Sequence, residues 1–430
     1  MYTLKTINII LTIVFFACYA YQFVYIPIRL FFAKRTEEKE RAKTVLVPHT
    51  FAFLICGRDE EAVIGDLIDS IHGQDYDQSL LTVFVMADNC SDRTAEVARA
   101  HGARVYTRKN PDLIGKGYAL QELRQHIFHD YPDGFDAYFV FDADNVLTPN
   151  YVTEMNKCFC AGNDVITSYR NSKNFGQNFV TMGYGVWFLH EASFLNHPRK
   201  ILGVSCAVSG TGFMFSRKVA EEIVDWPYHL LTEDIEFSAD RITHGKKISY
   251  CPHAEFFDEQ PTKLRTAWRQ RMRWARGYLQ VIRHYGAKLI KGIFKGSFAC
   301  FDMSMNIMPA YILTIASIAL NVTLAILGTI IGEDIMIAVW SILRLVGSAF
   351  GAVFLIGAIA VITDWKRIRM STWKKILSML YFPFYMATYI PIAVAAIFIR
   401  SEWKHIPHDA SVESLKEEGE NTDFSTHEDK

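Results

Sequence analysis

Net charge and patterned cysteines are two features that this 430-residue sequence lacks. Its 45 Lys and Arg residues nearly balance 46 Asp and Glu residues, for a formal net charge of −1, so no nucleic-acid partner is expected. The eight cysteines are scattered from Cys18 to Cys300, and only Cys158 and Cys160 are close together. This spacing matches neither a disulfide framework nor a zinc site, and it suits reduced thiols in a cytoplasmic domain.

Apolar residues make up 50% of the chain and are concentrated near its two ends. Residues 9–32 are almost uncharged up to Arg29 and are long enough to cross a bilayer. No small-residue cleavage site follows Arg29, so we predict a retained N-terminal transmembrane anchor over residues 1–33. By the positive-inside rule, the basic flank that continues to Lys43 predicts that the following domain is cytoplasmic.

Three further apolar stretches lie near the C-terminus, at about 305–331, 335–362 and 376–399. They predict a C-terminal transmembrane region of about three segments over residues 299–400, in a multi-pass protein of the plasma or inner membrane. The connection at 364–375 carries five Lys and Arg residues and is expected on the cytoplasmic side. The polar tail at 401–430 is expected to be flexible, and its side of the membrane stays open.

Between residues 44 and 260, short apolar runs alternate with helical periodicity. This alternation predicts a mostly parallel sheet with helices on both faces, whose ligands bind outside the carboxyl ends of the strands. Functional residues are therefore expected where the apolar runs stop. The predicted strands lie at 50–57, 82–88, 103–108, 136–144 and 164–169, and the predicted helices at 60–71, 93–100 and 117–128.

Acidic residues stand where two of these predicted strands end. Asp88 ends one apolar run and precedes a helix that Ser91 or Asp92 can cap, which by itself is an ordinary strand, turn and helix. Asp142 and Asp144, two residues apart at another strand end, point to one face if the chain stays extended. Two such carboxylates suit Mg²⁺ or Mn²⁺ with a substrate's phosphates, although surface turns also produce this D-x-D pattern.

Three more stretches combine charge with a predicted helix or turn. Glu233 and Asp234 open a predicted helix, where two acids are also ordinary because the helix dipole favours them. Lys116 lies between glycines in "IGKGYAL", which can bring a cation and backbone N–H groups to a phosphate but lacks Walker spacing. The segment "RQRMRWARG" at 269–277 holds four arginines on a predicted helix, which suits phosphate oxygens or an anionic lipid surface.

Together these motifs resemble those of the membrane-embedded family 2 glycosyltransferases, which include the processive synthases of cellulose, chitin, hyaluronan and poly-N-acetylglucosamine. The resemblance implies a GT-A-like, Rossmann-type α/β cytoplasmic domain at 44–260, followed by amphipathic interface helices at 261–298 and flanked by transmembrane helices. Five motifs occur in the family's order and approximate spacing: Asp88, Lys116, the D-x-D of Asp142 and Asp144, "TED" at 232–234 and "QRMRW" at 270–274.

The resemblance implies a role for each donor-side residue. Glu60, in the first loop after a strand, and Asp88 would contact the nucleoside of a UDP-sugar. Lys116 would approach its diphosphate. Asp142 would face the nucleotide, and Asp144 would hold Mg²⁺ or Mn²⁺ on the diphosphate.

The later motifs correspond to catalysis and to the acceptor side. Asp234 corresponds to the catalytic base, with Glu233 beside it in the same motif. Gln270, Arg273 and Trp274 correspond to the residues that hold the departing diphosphate and the acceptor end. Trp274 has a structural alternative, because an ideal straight helix places it on the apolar side, away from Arg273.

The sequence thus predicts a membrane-bound inverting glycosyltransferase that uses a UDP-sugar to form β-glycosidic bonds, as a processive β-glycan synthase that exports its product through its membrane region. An alternative enzyme transfers one sugar to a lipid such as diacylglycerol or a polyprenyl phosphate. The expected partners are the donor, a glycan or lipid acceptor and membrane lipids, and a homo-oligomer or partner subunit is left open. A non-enzymatic alternative is a membrane transporter or a nucleotide-sensing scaffold, which would explain an ionisable residue, Arg344, inside a predicted span. It gives no role to Asp142, Asp144 and Asp234.

Overall fold

A computed structural model describes most of the chain, namely residues 2–223, 225–307 and 335–399. It also describes residues 319, 320, 322, 323, 326–328, 330, 405, 406, 408, 411, 412 and 415. A long helix, α1 (Tyr2–Lys43), precedes an α/β domain, and a set of apolar helices follows it.

An eight-stranded sheet forms the centre of the α/β domain, in the order β3-β2-β1-β4-β7-β6-β8-β5. The pairings of β3, β2, β1 and β4 are parallel, whereas β7 runs antiparallel between β4 and β6. The prediction of a mostly parallel sheet is confirmed. The strands are β1 (Phe51–Gly57), β2 (Leu81–Asp88), β3 (Arg104–Arg108), β4 (Ala137–Asp142), β5 (Val146–Leu147), β6 (Val165–Ser172), β7 (Phe213–Ser216) and β8 (Ser249–Asp258).

Side chains that alternate along the strands build an apolar core on each face of the sheet. On β1, Phe53 and Ile55 belong to one core, while Ala52 and Leu54 belong to the other, because successive strand residues point to opposite faces. The helices of this domain are α2 (Ile64–His72), α3 (Thr94–Ala100), α4 (Lys116–Asp130), α5 (Tyr151–Cys160), α6 (Phe179–His190), α7 (His197–Leu202), α8 (Arg217–Glu222) and α9 (Glu233–Thr243).

The helices after β8 pack against the α/β domain. They are α10 (Leu264–Phe294), α11 (Phe298–Ile307), α12 (Ile335–Thr363), α13 (Thr372–Ala387) and α14 (Tyr389–Phe398). A buried ion pair joins α7 to α11, with Arg199 Nε 2.6 Å from Asp302 Oδ2, and Tyr21 of α1 donates a 2.6 Å hydrogen bond to Asp302 Oδ1. These bonds satisfy both buried charges, so they tie the N-terminal helix to the domain.

Two stretches of the described residues are long and apolar enough to cross a membrane. They are Val346–Thr363, with a mean hydropathy of 2.2, and Thr372–Phe398, with a mean hydropathy of 1.6. They coincide with the second and third C-terminal stretches predicted above. The first predicted stretch, at 305–331, lies largely outside the described residues, so a multi-pass topology stays a prediction.

Candidate active site

A cavity of about 510 Å³ opens at the carboxyl ends of β1, β2 and β4 and continues towards the helices after β8. This is the edge of the sheet where the sequence places the functional residues. All ten residues proposed above for the donor, metal, base or acceptor line this one cavity: Glu60, Asp88, Lys116, Asp142, Asp144, Glu233, Asp234, Gln270, Arg273 and Trp274.

The ends of β1 and β2 form the first wall of the cavity. Asp88, the last residue of β2, accepts a 2.7 Å hydrogen bond from Arg108 on β3, and both side chains are buried. Burial raises the pKa of Asp88 above its ordinary value, although Arg108 opposes the shift. Glu60 follows β1, and its backbone N–H donates to the hydroxyl of Thr94 at 2.8 Å. Both acids are therefore held at defined positions by neighbouring loops.

Lys116, Asp142 and the turn before β7 meet in the middle of the cavity. The Lys116 ammonium forms an ion pair with Asp142 and donates to the carbonyl oxygen of Gly210 at 2.8 Å. Burial disfavours the charge of Lys116, but Asp142 and Glu233 outweigh it and raise the pKa. A Cβ atom on Gly210 would lie 3.9 Å from Asp234 Oδ2 and 4.0 Å from Asp142 Oδ2. The predicted base and the first D-x-D acid thus flank the same turn.

The glycine after Lys116 has a packing role. A Cβ atom on Gly117 would lie 2.0 Å from the carbonyl oxygen of Tyr228, so only glycine lets the start of α4 approach that loop. The "GKG" stretch therefore positions the Lys116 side chain by close backbone packing, which the sequence pattern alone did not indicate.

Asp144 is the D-x-D acid that the sequence assigns to a divalent cation. Its side chain is buried, and its oxygens accept 3.0 Å hydrogen bonds from the Asn145 amide and the backbone N–H of Glu259. Burial, together with the nearby Asp144 charge, raises the pKa of Asp258 to about 6, although Arg170 opposes the shift. The oxygen ligands and the local excess of carboxylate fit Mg²⁺ or Mn²⁺.

A second acidic group lies near the same edge of the sheet. The ligand atoms of Asp59, Cys90 and Asp92 lie within 4.8 Å of one another. However, Asp59 Oδ1 accepts a 2.6 Å hydrogen bond from the backbone N–H of Ser91, and Asp92 Oδ1 accepts one of 2.9 Å from that of Thr94. These carboxylates already organise the turn before α3, and the described lining of the cavity does not include them.

Glu233 and Asp234 form the first turn of α9 and face the cavity. Burial, followed by the charge of Asp234, raises the pKa of Glu233 to about 7, and Lys116 opposes this. Burial also raises the pKa of Asp234, while the backbone N–H of Ile235 opposes the shift. Each carboxylate is therefore a stronger base than an ordinary surface carboxylate, as general-base catalysis requires.

Helix α10 brings Gln270, Arg273 and Trp274 to the opposite wall. Gln270 Oε1 accepts a 2.7 Å hydrogen bond from the hydroxyl of Tyr184. Trp274 stands edge-on to the Tyr184 ring, at 5.9 Å between centroids and 86° between planes. The Nε atom of Arg273 is buried, and none of the described residues accepts a hydrogen bond from it. An orphaned guanidinium N–H beside a cavity suits an anionic ligand.

The four arginines of the "RQRMRWARG" segment have different surroundings. Arg269 is exposed, whereas Arg271 is buried between the rings of Tyr385 and Tyr389, at 4.7 and 4.8 Å from their centroids. Arg276 donates a 3.1 Å hydrogen bond to a backbone carbonyl oxygen of α14. Among these four, Arg273 is the one that lines the cavity, so the motif serves packing as well as ligand binding.

Gly277, which ends that segment, lets α10 pack against the start of α9. A Cβ atom there would lie 2.5 Å from both Oγ1 and Cγ2 of Thr232, directly before Glu233 and Asp234. We expect Gly277→Ala to displace this turn, to cost about 1–3 kcal/mol of stability and to lower the transfer rate by about tenfold or more. Thermal unfolding and initial rates measure both effects.

A matched control lies in the same helix. Gly286 is also buried in α10, but a Cβ atom there would meet only Cγ2 of Ile282, at an ordinary 3.5 Å. Gly286→Ala is expected to retain activity and to gain up to about 1 kcal/mol from helix propensity. Equal loss of activity in both variants would show that the close approach of Gly277 to Thr232 has no special importance.

Several residues of the cavity have no motif in the sequence that predicts them. Arg170 and Asp258 form a buried ion pair beside Asp144, with Arg170 Nε 2.7 Å from Asp258 Oδ2. Arg170 lies on β6 and Asp258 on β8, two strands that are far apart in the sequence and become neighbours in the folded sheet. The far end of the cavity is lined by residues of the apolar helices: Met305, Asn306, Val353, Ile356, Phe382, Met386 and Tyr389.

Comparison with known proteins gives one matching family and several relatives. The model of the family described as glycosyltransferase like family 2 matches residues 48–277, which is more than half of the chain. The β-monoglucosyldiacylglycerol synthase of Synechocystis sp. is 25% identical over 245 residues, covering 56% of this chain and 50% of that one. The poly-β-1,6-N-acetyl-D-glucosamine synthase of Staphylococcus aureus is 24% identical over 272 residues, covering 60% and 62%. The aligned region thus spans between half and about three fifths of these relatives.

A solved structure shares the fold over nearly the whole chain. The mannosyltransferase PcManGT from Pyrobaculum calidifontis, in complex with GDP-Man and Mn²⁺, superposes with a TM-score of 0.52 at 16% identity. The superposition covers 92% of this chain and 99% of that one. At this identity the likeness concerns the fold.

Proposed function

Since the chain belongs to the glycosyltransferase-like family 2, we propose that it is a membrane-bound inverting enzyme that transfers sugar from a UDP-sugar and extends a β-linked glycan processively. The observation that carries this proposal is the single cavity, which holds the D-x-D acids, the candidate base and the QRMRW residues and then continues between apolar helices. Its catalytic domain has a GT-A-like α/β fold with a mostly parallel sheet.

On the donor side, Asp144 would hold Mg²⁺ or Mn²⁺, which when bound offsets the negative charge of the diphosphate. Asp88 and Glu60, which line the same cavity, would contact the nucleoside, and Asp142 would face the nucleotide. Lys116 and Arg273 add positive charge on opposite walls. As the bond between the anomeric carbon and the diphosphate breaks, these cations stabilise the charge that develops on the leaving group.

Asp234 would act as the general base. The acceptor hydroxyl transfers its proton to the Asp234 carboxylate while its oxygen bonds to the anomeric carbon, and the diphosphate leaves with the bonding electron pair. A single displacement of this kind inverts the anomeric centre, so an α-linked donor gives a β-linked product. Glu233, whose pKa is raised to about 7 by burial and then by the charge of Asp234, lies next to Asp234 in the first turn of α9.

We expect the turnover number to fall as the pH is lowered, because the base acts only when deprotonated. The raised pKa of Asp234 places this loss above pH of about 4, the ordinary carboxyl value. Below a pH of about 7 Glu233 is largely protonated, so Glu233→Gln removes little charge on this limb and should leave the half-maximal pH nearly unchanged. Initial rates at saturating donor, with UDP binding measured at each pH, test this. A loss of rate centred at about pH 4 in both the unaltered protein and Glu233→Gln would contradict this expectation.

The acceptor end of the cavity has features that suit two kinds of acceptor, a sugar and a lipid. Trp187 and Trp274 line the cavity near the base, and aromatic faces suit a sugar ring. Beyond them, Val353, Ile356 and Phe382 form an apolar wall, which suits the hydrocarbon chain of a lipid acceptor. The second candidate function is therefore transfer of one sugar to a membrane lipid.

The test is UDP release by the full-length protein in lipid nanodiscs with Mn²⁺, across UDP-glucose, UDP-N-acetylglucosamine, UDP-galactose and UDP-glucuronate, followed by sizing of the labelled product. A polymer that grows with time and is cleaved by a β-glycosidase supports the synthase. Product that extracts wholly into organic solvent supports the lipid acceptor. Release with GDP-sugars alone would overturn the choice of UDP, and no release with any donor or added lipid would overturn the proposal.

A further inference from the structure

Residues near the C-terminus lie against the nucleotide end of the cavity. His405, Ile406 and His408 line it together with Glu60 and Asp88. Nδ1 of His408 lies 3.0 Å from Oε2 and 3.1 Å from Oε1 of Glu60, and Nε2 of His405 lies 3.5 Å from Oε1. The imidazoles of His405 and His408 thus lie against the carboxylate of Glu60, which follows β1 at the nucleotide end of the cavity.

The same segment is anchored again a few residues later. The backbone N–H of Val412 donates a 2.7 Å hydrogen bond to Asp66 in the first turn of α2. Its side chain packs against the buried pair Val146 and Phe257, and Leu415 is only 1% exposed. The described residues of the tail therefore contact the catalytic domain at both ends of the segment 405–415.

The charge of His408 complements a nucleoside diphosphate. The Glu60 carboxylate, 3.0 Å from Nδ1 of His408, favours the imidazolium form of His408. Carboxylates dominate this end of the cavity, and Lys116 is already paired with Asp142. A cation held by Glu60 offsets the repulsion that a diphosphate would otherwise meet beside Glu60 and Asp88.

The tail also leaves room for a ligand. The cavity of about 510 Å³ is present with His405, Ile406 and His408 lining it, and cavities of about 300–1,000 Å³ commonly hold small molecules. These three residues therefore form part of the wall of the cavity and leave its interior open.

We propose that His405, Ile406 and His408 are part of the donor site and that His408 is a further residue that binds the nucleoside diphosphate. This inference rests on the proposed function, because it places the nucleotide in this cavity. His408 would face the phosphates from its position beside Glu60.

The test is calorimetric titration of the full-length protein with UDP and with uridine, in the presence of Mn²⁺. His408→Gln should weaken UDP binding by about tenfold, the usual worth of a charge-assisted hydrogen bond, while uridine binding changes little. The KM for the sugar donor should rise in parallel with little change in kcat. The matched control, His284→Gln, alters an exposed histidine of α10 and should change neither.

Two deletions keep the test decisive if the point variant loses stability. Removal of 405–430 should weaken UDP binding at least as much as His408→Gln, whereas removal of 416–430 should not. Unchanged UDP binding in His408→Gln and in the longer deletion would overturn the inference, and tighter binding would identify the segment as a competing cover instead. Failure of the unaltered protein to bind UDP would count against the proposed function itself.

Discussion

Asp234→Asn is expected to lower the turnover number for sugar transfer by about 10²–10⁴-fold, the usual contribution of a general base. The amide has nearly the same shape as the carboxylate but cannot accept the acceptor's proton. Since the role assigned to Asp234 is to accept the proton of the acceptor hydroxyl, UDP affinity should change by no more than about twofold. Single-turnover transfer and UDP titration measure the two effects separately.

A control in the same helix tests whether this loss is specific. Asp240 lies in α9 and accepts a 2.8 Å hydrogen bond from the hydroxyl of Tyr228, which an asparagine oxygen can also accept. Asp240→Asn should therefore retain transfer. If Asp234→Asn keeps substantial transfer, the base lies elsewhere, and the next candidate in the cavity is Glu233.

Asp144→Asn is expected to weaken Mn²⁺ binding in the presence of UDP by about tenfold or more and to remove most transfer. The reason is electrostatic, because an amide oxygen replaces a buried anionic ligand at the site where carboxylates concentrate. Electron paramagnetic resonance of free Mn²⁺ measures the binding without depending on activity. Chelation with EDTA should stop transfer by the unaltered protein, and added Mn²⁺ or Mg²⁺ should restore it.

The second acidic group supplies the control for this variant. Asp92→Asn alters the group of Asp59, Cys90 and Asp92, whose carboxylates organise the turn before α3. Mn²⁺ affinity and metal-dependent transfer should be unchanged. Loss of Mn²⁺ binding in Asp92→Asn with normal binding in Asp144→Asn would move the metal site to that turn.

Much of the fold follows from local patterns. The five predicted strands match β1, β2, β3, β4 and β6, because each holds a short run rich in apolar, aromatic or β-branched residues that ends in polar residues. β8 was not predicted, since Pro252 and His253 interrupt its pattern. The structure accommodates them in a bulge, where the register with β6 shifts between Ser168 and Tyr169. β7 is only four residues long, too short for periodicity to indicate.

Helix α10 shows why the geometry of a motif needs the tertiary structure. An ideal straight helix places Trp274 away from Arg273, yet both line the cavity. The α10 residues Gln270, Arg273, Trp274 and Tyr278 line the cavity at the spacing i, i+3, i+4 and i+8, so one broad face of the helix holds both residues. Arg271 packs on a tyrosine ring, whereas the buried Nε of Arg273 has no acceptor among the described residues. This difference also depends on which tertiary neighbours each arginine contacts.

The sequence by itself determined the class of domain and the residue types of its site, because strand ends, helix starts and the spacing of the acids are local properties of the chain. Only the tertiary structure decided which of these residues meet. The approach of Gly277 to Thr232, the pairing of Arg170 with Asp258 and the contact of His408 with Glu60 join positions far apart in the chain. Such contacts depend on packing between elements, which leaves no periodic signal in the sequence.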